Sequence, residues 1–283
     1  MMQLNFRGVF GIGLGLSLSL SGLKAQASYP IVSTVFQDTF SEAPHAVAPG
    51  SPLNANWTPS PGNGGQWEVS QGQAPAGAAI PNFIPSGTTY GAQYVPSVTL
   101  GTTVTNWLLT VDVQDIFIGP YPSTSAGQVA LLGNWNGASL GIGGSGAAAT
   151  GLKLVINPSF TGIPTLGGAT KTMFLAEVVG GVESVLWTQA LPLGSDGLPE
   201  GVWHTLTLAR DGNLVQASGL GFTSTWFNTS IPNTGFAGQA YGYVFSFSGQ
   251  EGLAIDNFTI YEIPEPSSAV LLAWAGFAML RRR

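Results

Sequence analysis

Through the middle of the chain, apolar and polar positions alternate in short runs, and Gly, Pro, Asn and Ser clusters separate the runs. Period-two alternation sends successive side chains to opposite faces of a pleated strand. Runs rich in Val, Ile, Thr and aromatics predict strands at 31–40, 65–70, 103–117, 127–133, 151–157, 171–179, 182–190, 202–210, 213–218, 240–248 and 252–261. No stretch outside the two ends repeats every 3.6 residues, so an all-β body is expected. Gly180-Gly181 suits a tight turn with positive φ between the sixth and seventh of these runs. Counting back from it sets Glu177 opposite Ser184, Glu183 opposite Val178 and Phe174 opposite Trp187. Asp211-Gly212 supplies a second turn. The strand before it places His204, Leu206 and Leu208 on one face, with Trp203, Thr205 and Thr207 on the other. The stripe Tyr241, Tyr243, Phe245 and Phe247 reads as core.

The two ends follow another pattern. Residues 1–27 carry Arg7, an apolar run from Val9 to Leu20 and the small-residue site Ala25-Gln26-Ala27. About 18 Å of helix is too short to span a hydrocarbon core of about 30 Å, so this is read as a secretory signal that signal peptidase removes, leaving Ser28 first. At the other end Pro264-Glu265-Pro266 precedes an uncharged apolar segment, Ala269 to Leu280, and then Arg281, Arg282 and Arg283. Ser267 to Leu280 would give about 21 Å of helix, a marginal span stopped by a cationic cluster. Residues 263–283 resemble the PEP-CTERM sorting signal of Gram-negative bacteria. The resemblance implies an exosortase partner, transient membrane anchoring, and delivery to the outer surface or the extracellular polysaccharide matrix.

Composition narrows the middle, residues 28–262. There Lys153, Lys171 and Arg210 face 13 carboxylates (all 14 less Glu265), a net charge of −10 (3 minus 13). Such a field repels phosphate backbones and excludes nucleic acid as a partner. The absence of Cys excludes thiolate metal sites, disulfides and cysteine nucleophiles. The body resembles the concanavalin A-like, laminin-G-type jelly roll. The resemblance is carried by Trp203-His204 leading a strand that turns at Arg210-Asp211-Gly212, by the opening Gln37-Asp38-Thr39-Phe40, and by the closing run Ala254 to Ile260. It implies one domain, a two-sheet antiparallel β-sandwich with its first and last strands adjacent. It also implies a structural calcium between those strands, with Asp38 and Asp256 as its ligands. The alternative is that both carboxylates accept backbone hydrogen bonds at strand ends.

The fold raises glycoside hydrolysis, which needs two carboxyl groups about 5 to 9.5 Å apart. Asp112 and Asp115 have an odd spacing that sends them to opposite faces, and Glu177 and Glu183 are likewise separated. A serine triad lacks its Gly-x-Ser-x-Gly; His45 is read as loop and His204 as a satisfied core residue. Gly141 to Gly146 matches G-x-G-x-x-G, but no helix pattern follows and it is read as a flexible loop. Sugar binding calls for aromatic platforms beside amides. Trp135 between Asn134 and Asn136 has that composition, as does Trp203 on its threonine-lined face; Trp57 and Trp226 are weaker versions. The expected protein is therefore an exported, non-catalytic structural or adhesive sandwich with weak binding of extracellular polysaccharide. A diverged secreted polysaccharide hydrolase is the alternative.

Overall fold

A computed structural model describes residues 29–48, 51–59, 67–70, 76–81, 89–96, 104–118, 127–136, 140–141, 144–145, 148–157, 172–191, 201–233, 239–245 and 250–264. Ala25, Ala27, Glu265, Pro266, the three terminal arginines, Lys171 and Phe247 lie outside the described residues, so the sorting and cleavage expectations do too.

The described chain is all-β, with two antiparallel sheets stacked as a sandwich. The larger sheet has ten strands: β1 (Ser33–Asp38), β2 (His45–Val47), β4 (Trp67–Val69), β5 (Ala79–Pro81), β7 (Trp107–Ile118), β14 (Trp203–Asp211), β15 (Leu214–Gly219), β16 (Phe222–Thr223), β17 (Phe227–Asn228) and β19 (Gln250–Glu262). Its path runs β16-β15-β14-β7-β19-β5-β4-β2, with β1 also on β19 and β17 also on β15. The smaller sheet has seven strands: β3 (Trp57–Pro59), β6 (Thr89–Pro96), β8 (Gly127–Gly133), β11 (Gly151–Asn157), β12 (Thr172–Val179), β13 (Val182–Ala190) and β18 (Gln239–Phe245). They run β13-β12-β11-β8-β18-β6-β3. The first and last strands, β1 and β19, are antiparallel neighbours, as the jelly-roll resemblance implies. Tyr241, Tyr243 and Phe245 fall on β18, inside the smaller sheet.

Alternation explains the core. On β7, Trp107, Leu109, Val111 and Val113 point between the sheets, where Leu131, Leu152, Leu154, Ile156, Met173 and Leu175 meet them from the other side. Phe36, Phe40, Trp57 and Phe258 close one end; Trp57 stacks on Phe40 with centroids 6.0 Å apart, and Phe258 meets its edge at 4.8 Å. Such aromatic pairs add about 0.5–1.5 kcal/mol each beyond their burial.

Two readings of local structure need correction. Val182↔Val179, Glu183↔Val178 and Ser184↔Glu177 pair as counted, but a bulge between Leu175 and Ala176 then shifts the ladder. Trp187 therefore faces Leu175, and Phe174 faces Thr188. A bulge inserts one residue and flips the parity beyond it, which no count from a turn can register. His45 is not in a loop: it opens β2, with Nδ1 3.0 Å from the Ala43 carbonyl and Nε2 2.7 Å from that of Leu53. Those carbonyls raise its pKa above the ordinary value. The glycine-rich stretch expected as loop carries a small antiparallel ladder, β9 (Leu140–Gly141) with β10 (Gly144–Ser145).

Candidate outward-facing sugar site

The residues that alternate with the β7 core positions are Thr110, Asp112 and Gln114, and they face outward from the ten-stranded sheet. Across the β14 ladder Trp203 pairs with Gln114, Thr205 with Asp112, and Thr207 with Thr110. Across the other ladder Ala254 pairs with Gln114, Asp256 with Asp112, and Thr259 with Thr110. The result is a face of hydroxyls, amides and carboxylates with a tryptophan at one end.

Trp203 is 37% exposed, as its place on the threonine face predicts. Gln114 beside it is only 7% exposed and makes no hydrogen bond among the described residues. Its amide is lodged against the sheet surface with its hydrogen-bonding capacity unused.

Asp112 and Asp256 are directly opposed across two strands, a pairing that costs electrostatic energy unless something neutral or cationic lies between them. The chain supplies an amide: Asn257 Nδ2 donates to Asp112 Oδ2 at 2.9 Å and to Asp256 Oδ2 at 3.2 Å. Asn257 sits at a β19 bulge with φ of 49°, and its backbone N–H donates to Asp256 Oδ1 at 2.6 Å. Thr205 Oγ1 donates to Asp112 Oδ1 at 2.5 Å. Burial, then the charges of Asp112 and Asp38, push the Asp256 carboxyl up to about 6 despite that backbone bond. Sequence reasoning tested Asp112 only against Asp115, on its own strand. The signal that was missed is cross-strand: Asp256 and Asp112 become partners only once β19 is known to lie beside β7.

The Asp38 carboxylate is held by N–H donors. Phe40 N donates to Oδ1 at 2.8 Å, while Asn54 Nδ2 (2.9 Å), Asn56 Nδ2 (3.2 Å) and Trp57 Nε1 (2.7 Å) all converge on Oδ2. A calcium ion needs six to eight oxygen ligands, and this shell presents positive amide edges instead. Asp38 and Asp256 share no hydrogen-bond partner, and the described residues contain no group of three His, Cys, Asp or Glu that could hold a metal ion. As arranged, these residues do not fit the expected calcium.

The other tryptophan candidates are corrected. Trp135 is 3% exposed, packed with Val155, Phe174 and Ala149 on the outer side of the smaller sheet, so it offers no face for stacking. A Cβ on Gly151 would lie 2.8 Å from its ring, which shows how closely the glycine seats it. Asn134 and Asn136 are structural. Asn134, at φ 47°, accepts from Arg210 Nη1 at 2.6 Å; Asn136 donates to the Ala148 carbonyl at 2.6 Å and accepts from Thr150 N at 3.2 Å. Trp57 is 1% exposed and committed to Asp38. Trp226 is exposed, edge-on to Tyr29 with centroids 6.2 Å apart. His204 does share a face with Leu206 and Leu208, but its buried Nε2 has no partner among the described residues and burial lowers its pKa.

Sequence reasoning also passed over Arg210. It is fully buried, and its guanidinium donates to three neutral oxygens, those of Gly212 (2.9 Å), Asn134 (2.6 Å) and Ile231 (2.7 Å). Burial pulls its pKa down to about 10. It ties the end of β14 to the end of β8, one sheet to the other.

No family model matches the chain, and no curated protein matches its sequence. Solved structures do resemble it. The potassium-bound carbohydrate recognition domain of Emp46p aligns over 74% of this chain and 90% of its own, at 10% identity and a TM-score of 0.52. The metal-free form of the same domain aligns over 74% and 89%, at 11% and 0.51. The exoplasmic/lumenal domain of VIP36 in a Ca2+/Man-bound form aligns over 77% and 90%, at 11% and 0.51. At these identities the likeness is one of fold: the chain is built as a two-sheet sandwich of the kind those domains use.

Proposed function

We propose that this is an exported, non-catalytic binding protein that holds polysaccharide on the outward face of its ten-stranded sheet. In this reading Trp203 is the stacking platform, and Gln114, Asp112, Asp256 and Asn257 are the hydrogen-bonding partners of sugar hydroxyls. The observation that carries it is Trp203, over a third exposed on a face otherwise made of hydroxyls, amides and carboxylates. An apolar platform ringed by convergent polar groups is the composition of a sugar site. The named carbohydrate recognition domain among the structural neighbours supports the same reading. The PEP-CTERM-like tail and the leading signal point to export through signal peptidase and exosortase, to the outer surface or matrix of a Gram-negative bacterium.

A glycan-array screen of residues 28–262 tests this. Binding is expected, and Trp203→Ala should weaken it by about tenfold or more, the equivalent of 1.4 kcal/mol of lost stacking. An array with no bound glycan would sink the reading.

One observation favours the hydrolase alternative: Asp112 and Asp256 are juxtaposed, and Asp256 titrates near 6. A protonated acid beside an ionised partner is how glycosidases divide their roles. Against it, both oxygens of Asp112 already accept hydrogen bonds from Thr205 and Asn257. Release of reducing ends from a bound polysaccharide, lost in Asp256→Asn, would establish hydrolysis in place of binding.

A further inference from the structure

The geometry points to an amino sugar as the class of ligand: a polysaccharide bearing free ammonium groups, held by the Asp112–Asp256 pair beside Trp203. This rests on the sugar-binding reading of the outward face and adds the charge of what that face receives.

The first step is the sign of the face. Asp112 and Asp256 oppose one another at adjacent ladder positions, and Asp38 adds its charge from β1. The basic side chains described in the body lie elsewhere. Lys153 is buried in the smaller sheet against Glu183, and Arg210 points between the sheets at the other end of β14. A uronate or sulfate entering here would meet two carboxylates without a counter-charge, and a neutral sugar would leave their repulsion in place. An ammonium removes it, with three donors to share between the two carboxylates.

The second step is an independent sign of a ligand. Gln114 lies next to Asp112 on the outward face, more than nine-tenths buried, with no hydrogen bond among the described residues. A buried amide left unmatched costs free energy unless a donor or acceptor arrives to meet it. A pyranose stacked on Trp203 would bring hydroxyls to that position. Trp203 is opposite Gln114 and diagonal to Asp112, within the reach of a large aromatic side chain. β14 and β19 are two strand spacings apart, about 10 Å, so a sugar on Trp203 and an amine between the carboxylates fit one short oligomer. The indole face itself also attracts a cation.

The test compares glucosamine oligomers, their N-acetylated counterparts and a lysine oligomer of equal charge, each titrated into the full chain at near-neutral pH and low salt. The amine form is expected to bind at least about tenfold tighter than the acetylated form, and the preference should shrink as salt rises. Asp256→Asn, an isostere that leaves the Asn257 contacts available, should abolish the preference while keeping residual acetylated-sugar binding within about twofold. Circular dichroism of that variant confirms folding. Equal binding of amine and acetylated oligomers overturns this inference and leaves the sugar-binding reading standing. Lysine-oligomer binding as tight as glucosamine binding overturns it too, because the face would then be reading charge alone. No binding of either sugar, with Trp203→Ala also inert, overturns the sugar-binding reading itself.

Discussion

Asp256 shows how a single residue's setting becomes a measurable property. Its carboxyl binds a proton more tightly in the folded chain than in the unfolded one, because burial and two neighbouring carboxylates penalise its charge. Between the ordinary value of 3.8 and about 6, the native state therefore holds the extra proton. Stability from this group is greatest below that window and is lost as pH rises through it. Asp256→Asn should flatten this part of the curve, and urea midpoints of both proteins measured from pH 4 to 7 would reveal the difference. A variant curve parallel to the parent's would show that Asp256 is not the source. Asp38 behaves differently, since its four N–H donors reward the carboxylate. Asp38→Ala would strand the indole N–H of Trp57 inside the core, at a cost of about 1–3 kcal/mol in a chemical melt.

At the scale of elements, tight packing between the sheets sets the tolerance to substitution. A Cβ on Gly133 of β8 would fall 2.2 Å from the ring of Trp107 on β7. Gly133→Ala should therefore destabilise by about 1–3 kcal/mol, read as a lower denaturant midpoint. Period-two patterning made most long strands legible in the sequence, including β7, β14 and β19, and it put Trp203 on the correct face. The short strands β2, β4 and β5 were poorly marked because three residues give one alternation at most. The Trp187 pairing failed at the β13 bulge. Trp135 shows the same limit from the other side. Its asparagine neighbours read as a sugar platform, yet they are spent on Arg210, Ala148 and Thr150, contacts fixed by strands far away in sequence.

For the whole molecule, two expectations concern what the chain does without. The N–H shell around Asp38 leaves the fold independent of calcium, so a chelator should leave the melting temperature unchanged. A fall of several degrees would restore the metal. The destination can be read by intact mass: the secreted form should lack the segment up to Ala27 and the residues after Pro264-Glu265-Pro266. Recovery of both segments in the secreted protein would remove the sorting proposal.

The pairing of the outermost strands also fixes which way the body faces. Val32 and Ser33 both hydrogen-bond to Glu262, and Glu262 lies opposite Trp107, so the described chain enters and leaves at one pole of the larger sheet. Trp203 lies opposite Gln114, seven residues further along β7 (114 minus 107), or roughly 24 Å at about 3.4 Å per residue. A molecule held by whatever follows Pro264 would stand with its tryptophan pole farthest from the attachment point. It would work like a hook on a short stem, reaching past its own anchorage into the surrounding gel.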